Sequence, residues 1–251
     1  MMVDGAGRAE ADEVIARLKA LESDAGGLVA LGPSVTDAEM SSWPVSPPED
    51  VRKLFRSVGG LTFGRFGFDF NHRANHTEPI DGDHYPLRDT SANWVLDDSM
   101  GASTTYYVDI DPETGAWGPV FSFWRDPYAS LVAPSFAGWL GNLATGLAAA
   151  LETCRDGDLS EAFSTWMYES EESLFRDHDN VVVPLPVPAA LESGDPEIAE
   201  VAALLPADAY LADLRTAAPP TEVPFATFMP EAFFSRFRGG RFLAATPFPE
   251  D

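Results

Sequence analysis

Apolar residues in the first sixty positions recur at the spacing of an amphipathic helix. The first apolar stripe predicts a helix over residues 9–23 and consists of Val14, Ile15, Leu18 and Leu21. A second helix is predicted to begin at Pro48, because a proline at the first helical position lacks an N–H group that would be unpaired there. Its apolar stripe ends before Gly59-Gly60 and consists of Val51, Leu54, Phe55 and Val58.

Beyond residue 60 the apolar period changes to the two-residue alternation of half-buried strands. Strands are predicted over residues 61–63, 66–70, 94–96, 104–110 and 119–124. The Asp-Pro-Glu-Thr-Gly segment before the last strand is typical of a tight turn, and a long helix follows over residues 134–151. Helices, then a meander of short strands, then another helix predict an α+β fold with a mainly antiparallel, curved sheet flanked by helices.

The composition changes after residue 155. Residues 184–251 contain eleven of the 21 prolines, and seven of the 17 phenylalanines lie between Phe225 and Phe248. Asp158 and Glu161 predict a helix start with a capping box, and Asp195 opens another helix. So many aromatic residues are atypical of disorder. We therefore predict an α+β domain over residues 1–155 and, over 156–251, a helical and irregular Pro/Phe-rich extension that packs on the domain or on a partner.

Charge narrows the choice of partners. The chain of 251 residues has 40 acidic and 16 basic residues, a formal net charge of −24. Nucleic-acid backbones and anionic membrane surfaces would be repelled, so neither is expected as a partner. Residues 160–215 alone contain twelve acidic and two basic residues. Such a surface suits a basic protein partner, although solubility or an acidic proteome would produce the same composition.

The sequence also indicates a compartment. It contains no apolar run long enough to span a membrane and no basic-then-apolar signal peptide. Its single cysteine, Cys154, cannot form an internal disulfide, which suits a reducing compartment. A cytoplasmic protein is therefore expected.

Several segments together resemble the SMI1/KNR4 (SUKH) superfamily. A proline-led helix ending in glycines, here residues 48–60, precedes a strand with an acidic turn and a strand that ends in Asp109. A V-hydrophobic-x-hydrophobic strand follows over residues 120–124, and a helix start with Ser135-Phe136 comes next. The likeness covers residues 10–150. It departs from the family pattern in the long polar loop over residues 71–93 and after residue 156.

The resemblance implies a binding module. Bacterial members of the superfamily are thought to act largely as immunity proteins that occlude a toxin, often a nuclease, and eukaryotic relatives act as regulatory scaffolds. We predict a non-catalytic immunity protein that neutralises a basic toxin domain, with a scaffold lacking a toxin partner as the alternative. The partner-binding acids are predicted in loops and in the first helix after residue 156: Asp81, Asp83, Asp97, Asp98, Glu169, Glu171 and Glu172.

An enzyme is the third possibility, as a metal-dependent hydrolase. The cluster with metal-ligand residue types consists of His72, His76, Asp81, Asp83 and His84. Its prolines and glycines predict a loop, and it lacks the HExxH pattern of a zinc protease helix. The acid pairs Asp97-Asp98 and Asp109/Asp111 could line a cleft, but turn and solubility roles explain them better. We therefore assign no catalytic residue, metal ligand or cofactor.

Overall fold

The chain folds as an α+β protein with antiparallel sheets flanked by helices, as the sequence predicts. A computed structural model describes the following residues: 4–71, 93–97, 104–111, 114–124, 128–154, 158–174, 180–229 and 232–247. Among these, no helix combines the length and the apolar character needed to cross a membrane.

The helices of the described residues lie before and after the central strands. They are α1 (Asp4–Asp24), α2 (Asp37–Ser41), α3 (Glu49–Ser57), α4 (Phe136–Thr153), α5 (Leu159–Glu169), α6 (Val187–Leu191) and α7 (Pro196–Ala202). The strands are β1 (Val29–Leu31), β2 (Gly60–Phe63), β3 (Phe66–Asp69), β4 (Asn93–Asp97), β5 (Thr104–Ile110), β6 (Trp117–Trp124), β7 (Ala129–Ala133), β8 (Leu185–Pro186), β9 (Tyr210–Asp213), β10 (Thr221–Val223), β11 (Phe233–Phe237) and β12 (Phe242–Thr246).

Side chains at the helix starts fix where the helices begin. The helix start predicted at Asp158 is confirmed, because its side chain accepts a hydrogen bond from the backbone N–H of Glu161. Asp195 caps α7 by accepting from the N–H groups of Glu197 and Ile198. Ser135 caps α4, which therefore begins two residues later than predicted. Pro48 is the residue before α3 and not its first residue, because its ψ of 165° is extended.

Three sheets are present in the described part of the chain. The largest has the strand order β10-β7-β6-β5-β4, a second has the order β1-β2-β3, and a third has the order β11-β12-β9-β8. Every strand pair is antiparallel. A single parallel bridge, between Val181 and Glu222, adds the segment before β8 to the edge of β10.

The five-stranded sheet is buried on both faces. Along β5, Tyr106, Val108 and Ile110 pack into a first core with helices α1, α3, α4 and α5. Tyr107 lies in a second core, which contains residues of β9, β10, β11 and β12. Because alternate side chains of a strand point to opposite faces, burial on both faces explains why apolar residues on β5 do not keep to one face.

The C-terminal part contains more regular structure than its prolines and phenylalanines indicate. Instead of a mainly irregular extension, it forms the sheet β11-β12-β9-β8. It also contributes β10, which pairs with β7 at the edge of the five-stranded sheet. Phe225 and Phe234 lie fully buried in the second core. Residues 156–251 thus supply an edge strand and a helix to structures that the first 155 residues begin.

Candidate partner-binding surface

Three of the predicted partner-binding acids lie together at the end of α5. Glu169 is the last residue of that helix, and Glu171 and Glu172 belong to the turn that follows; all three are exposed. We call residues 169–172 the acidic turn. Asp97 is the last residue of β4. Asp81, Asp83 and Asp98 lie outside the described residues.

Hydrogen bonds from α4 hold the acidic turn in place. The side-chain amide of Asn142 donates to the carbonyl oxygen of Glu172 at 2.8 Å and accepts from the N–H of Leu174 at 3.0 Å. The buried Ser173 hydroxyl donates to the carbonyl oxygen of Met167 at 2.7 Å. Because the backbone on both sides of Glu172 is held, its carboxylate and that of Glu171 are carried on an ordered turn.

An open groove of about 600 Å³ runs between α4 and α5, beside the acidic turn. Its lining combines small, apolar and acidic side chains: Ala149, Thr153, Cys154, Asp158, Glu161, Ala162, Thr165, Trp166, Glu169 and Ser170. We call it the α4–α5 groove. Small residues of both helices leave this space open, and one predicted acid, Glu169, stands at its rim. Cys154 is half-buried there and directly follows the last residue of α4.

A second depression of about 680 Å³ lies at the start of α5. It shares Asp158, Glu161 and Thr165 with the α4–α5 groove but also contains Arg65. The backbone N–H of Arg65 donates to the Ser160 hydroxyl at 2.7 Å, which joins the β2–β3 turn to the helix. The presence of a cation makes this depression less suited than the α4–α5 groove to a basic ligand.

The two acids of the Asp109/Asp111 pair make structural contacts. The Asp109 carboxylate lies 2.6 Å from the Arg236 guanidinium, and both side chains are buried. Burial raises the pKa of Asp109, the positive charge of Arg236 opposes this rise, and the negative charge of Asp111 adds to it. The Asp111 carboxylate accepts from the N–H of Thr114 and orders the turn after β5.

The candidate metal ligands all belong to the polar segment over residues 71–93. His72, His76, Asp81, Asp83 and His84 lie outside the described residues. Within the described ranges, no three His, Cys, Asp or Glu side chains come close enough to hold a metal ion.

Sequence reasoning missed most of the α4–α5 groove. It singled out Glu169 but not Glu161 or Trp166 as part of a surface. The available signal was spacing: Asp158, Glu161, Thr165 and Glu169 follow one another at helical intervals of three or four residues, and residues at such intervals share a helix face. The small residues of α4 that complete the groove could not be paired with this face from sequence alone.

The fold and this surface define an α+β protein that presents exposed carboxylates on an ordered turn beside an open groove. No model of a known protein family matches the sequence, and no curated protein sequence matches it either. The resemblance to the SUKH superfamily therefore stays a prediction.

Proposed function

We propose that this chain is a non-catalytic, cytoplasmic binding protein that neutralises a basic protein partner, namely a toxin effector such as a nuclease. The observation that carries this function is the acidic turn, which carries three exposed glutamates beside the α4–α5 groove. Asn142 holds its backbone by hydrogen bonds at Glu172 and Leu174. The net charge of −24 gives the whole molecule the sign that attracts a basic partner.

An ordered acidic surface favours binding in two ways. Complementary charge speeds the encounter and suppresses partners of the wrong sign. A turn that is already fixed in the unbound protein loses less conformational freedom when a partner binds. The basic clefts with which nucleases hold phosphate groups are surfaces that carboxylates can occupy.

Other observations support a role without catalysis. The Asp109 carboxylate, the most deeply buried acid of the described residues, pairs with Arg236 and joins two sheets. The SUKH-like order of motifs in residues 10–150 supports a binding module as well, because immunity proteins are common among bacterial members of that superfamily.

Affinity capture from lysate of the source cells, in low and in high salt, tests this function. We expect one basic protein in near-equal amount, with capture that weakens as salt rises. The triple variant Glu169→Lys, Glu171→Lys, Glu172→Lys should slow its association and reduce the salt dependence. A matched variant reverses three other exposed acids, Asp24, Glu192 and Asp208, and should retain most of the association rate. Equal association rates for the two variants would mean that the acidic turn is not part of the interface.

A further inference from the structure

The α4–α5 groove has an aromatic wall that is partly open. Trp166 is half-buried, and one edge of its indole packs directly against Gly146 of α4. A side chain larger than glycine at position 146 would collide with that ring. Gly146 therefore lets the indole lie close to α4, and the small Ala149 and Ala162 leave open the space beside it.

Two carboxylates line the groove together with this indole. Glu161 and Glu169 lie eight residues apart on α5, which is about 12 Å along a helix axis, and Trp166 lies between them. Both glutamates are exposed. Within the part of the chain that the structure describes, neither glutamate forms an ion pair.

We propose that the α4–α5 groove binds arginine side chains of a basic protein partner. This inference rests on the proposed function and names the chemistry of recognition. A guanidinium group stacks on the face of Trp166 while its planar N–H groups donate to the carboxylate of Glu161 or Glu169. An ammonium group of lysine makes a point contact instead of a planar stack, so the groove prefers arginine.

Charge and shape together decide the occupant. A second copy of this chain would bring its own −24 charge to an acidic rim, and a nucleic acid would bring phosphates; both are repelled. A purely apolar peptide would leave the rim carboxylates without a counter-charge. The volume of about 600 Å³ is within the range of sites that take up several side-chain groups of a ligand.

Titration calorimetry of the full chain with short peptides tests the inference. The probes are the blocked peptide Gly-Arg-Gly-Arg-Gly and its versions with lysine or with citrulline, which keeps the planar shape without the charge. We expect the arginine peptide to bind about threefold or more tightly than the lysine peptide, and the citrulline peptide not to bind.

Variants locate the binding. Glu161→Gln and Glu169→Gln should each weaken arginine-peptide binding about three- to tenfold, and Trp166→Leu should abolish the preference for arginine over lysine. Glu192→Gln is the matched control, because it removes the same charge from an exposed site outside the groove. The glutamate variants alter exposed side chains, so they test the site even if Trp166→Leu destabilises the fold.

Three results would overturn the inference: no binding of the arginine peptide at low salt, equal affinities for arginine and lysine, or equal effects of Glu192→Gln and Glu169→Gln. Failure of this inference can be distinguished from failure of the proposed function. A basic partner that depends on the acidic turn but not on Trp166 would uphold the function and exclude the groove. Arginine-selective binding without any basic partner in the cells would uphold the groove as a binding site and contradict the proposed function.

Discussion

The buried ion pair between Asp109 of β5 and Arg236 of β11 offers a direct test of how the C-terminal sheet is held on the five-stranded sheet. The two side chains are only 3 % and 5 % exposed, and the distance between carboxylate oxygen and guanidinium nitrogen is 2.6 Å. Arg236→Met would leave the carboxylate buried without this cation. Breaking a buried pair from one side costs about 3–5 kcal/mol, so we expect the free energy of unfolding to fall by that amount.

Urea denaturation followed by circular dichroism and tryptophan fluorescence measures the loss. Asp109→Leu should be similarly destabilising because it leaves the guanidinium buried. The double variant Asp109→Leu, Arg236→Met should recover much of the loss, since no buried charge then remains. The reasoning would be refuted by a loss below about 1 kcal/mol for Arg236→Met, a value typical of exposed pairs. Additive losses in the double variant would refute it as well.

The pH dependence supplies an independent check. Burial raises the pKa of Asp109 in the folded chain, against the effect of Arg236 and with that of Asp111. An acid with a raised folded-state pKa contributes stability below its unfolded pKa, and this contribution is lost as pH rises through the folded value. Removing Arg236 raises that pKa further. The loss caused by Arg236→Met should therefore be larger at about pH 8 than at about pH 5, and no such difference is expected when Asp109→Asn is also present.

Three further predictions concern other parts of the fold. Asn142→Ala removes the side-chain hydrogen bonds to Glu172 of the acidic turn and to Leu174 just after it. We expect the free energy of unfolding in urea to fall by about 1–2 kcal/mol and amide exchange in the turn to become faster; unchanged exchange would contradict this. Gly240→Ala places a methyl group on a backbone with φ 72°, 2.8 Å from a buried carboxylate oxygen. We expect the free energy of unfolding to fall by about 1–3 kcal/mol. The control Gly194→Ala has open space around it and should change the free energy of unfolding by under about 0.5 kcal/mol. A hydrogen bond from Arg215 lowers the pKa of Asp213. The contribution of Asp213 to stability is therefore present at neutral pH and is lost as pH falls through that lowered pKa. Arg215→Met should flatten the acid side of the plot of melting temperature against pH, and an unaltered plot would contradict this.

Elements with a clear period and a marked end could be predicted from the sequence. The bounds predicted for β5, residues 104–110, are those observed, and Asp158 caps α5 as its spacing with Glu161 indicates. In both cases the information is local, because turn residues or a capping side chain lie within a few positions of the element.

The C-terminal strands could not be predicted in the same way. In β12 all five residues are buried, because Phe242 and Ala244 lie in the core beneath α6 and α7 while Leu243 and Ala245 lie in the second core. Burial on both faces removes the apolar–polar alternation that identifies a strand in sequence. The short strand β7 was missed for a related reason, since four of its five residues are buried.

The proposed partner-binding surface was predictable only where its residues are neighbours in sequence. Glu169, Glu171 and Glu172 are neighbours in sequence, so their density is visible without a structure. The α4–α5 groove depends on Gly146 and Ala149 of another helix, and only the packing of the two helices places them beside the acidic face of α5.

Helix α5 has separate faces for stability and for the proposed binding. Phe163 and Met167 lie in the first core, while Glu161 and Glu169 are exposed on the side of the groove. The buried face anchors the helix, and Asn142 fixes the turn that follows it, so the carboxylates are held on a rigid support. Substitutions of these exposed glutamates should therefore alter partner binding without unfolding the chain, because surface substitutions away from buried contacts change stability by about 0.5 kcal/mol or less. Loss of binding with an unchanged melting temperature would then be attributable to the surface itself.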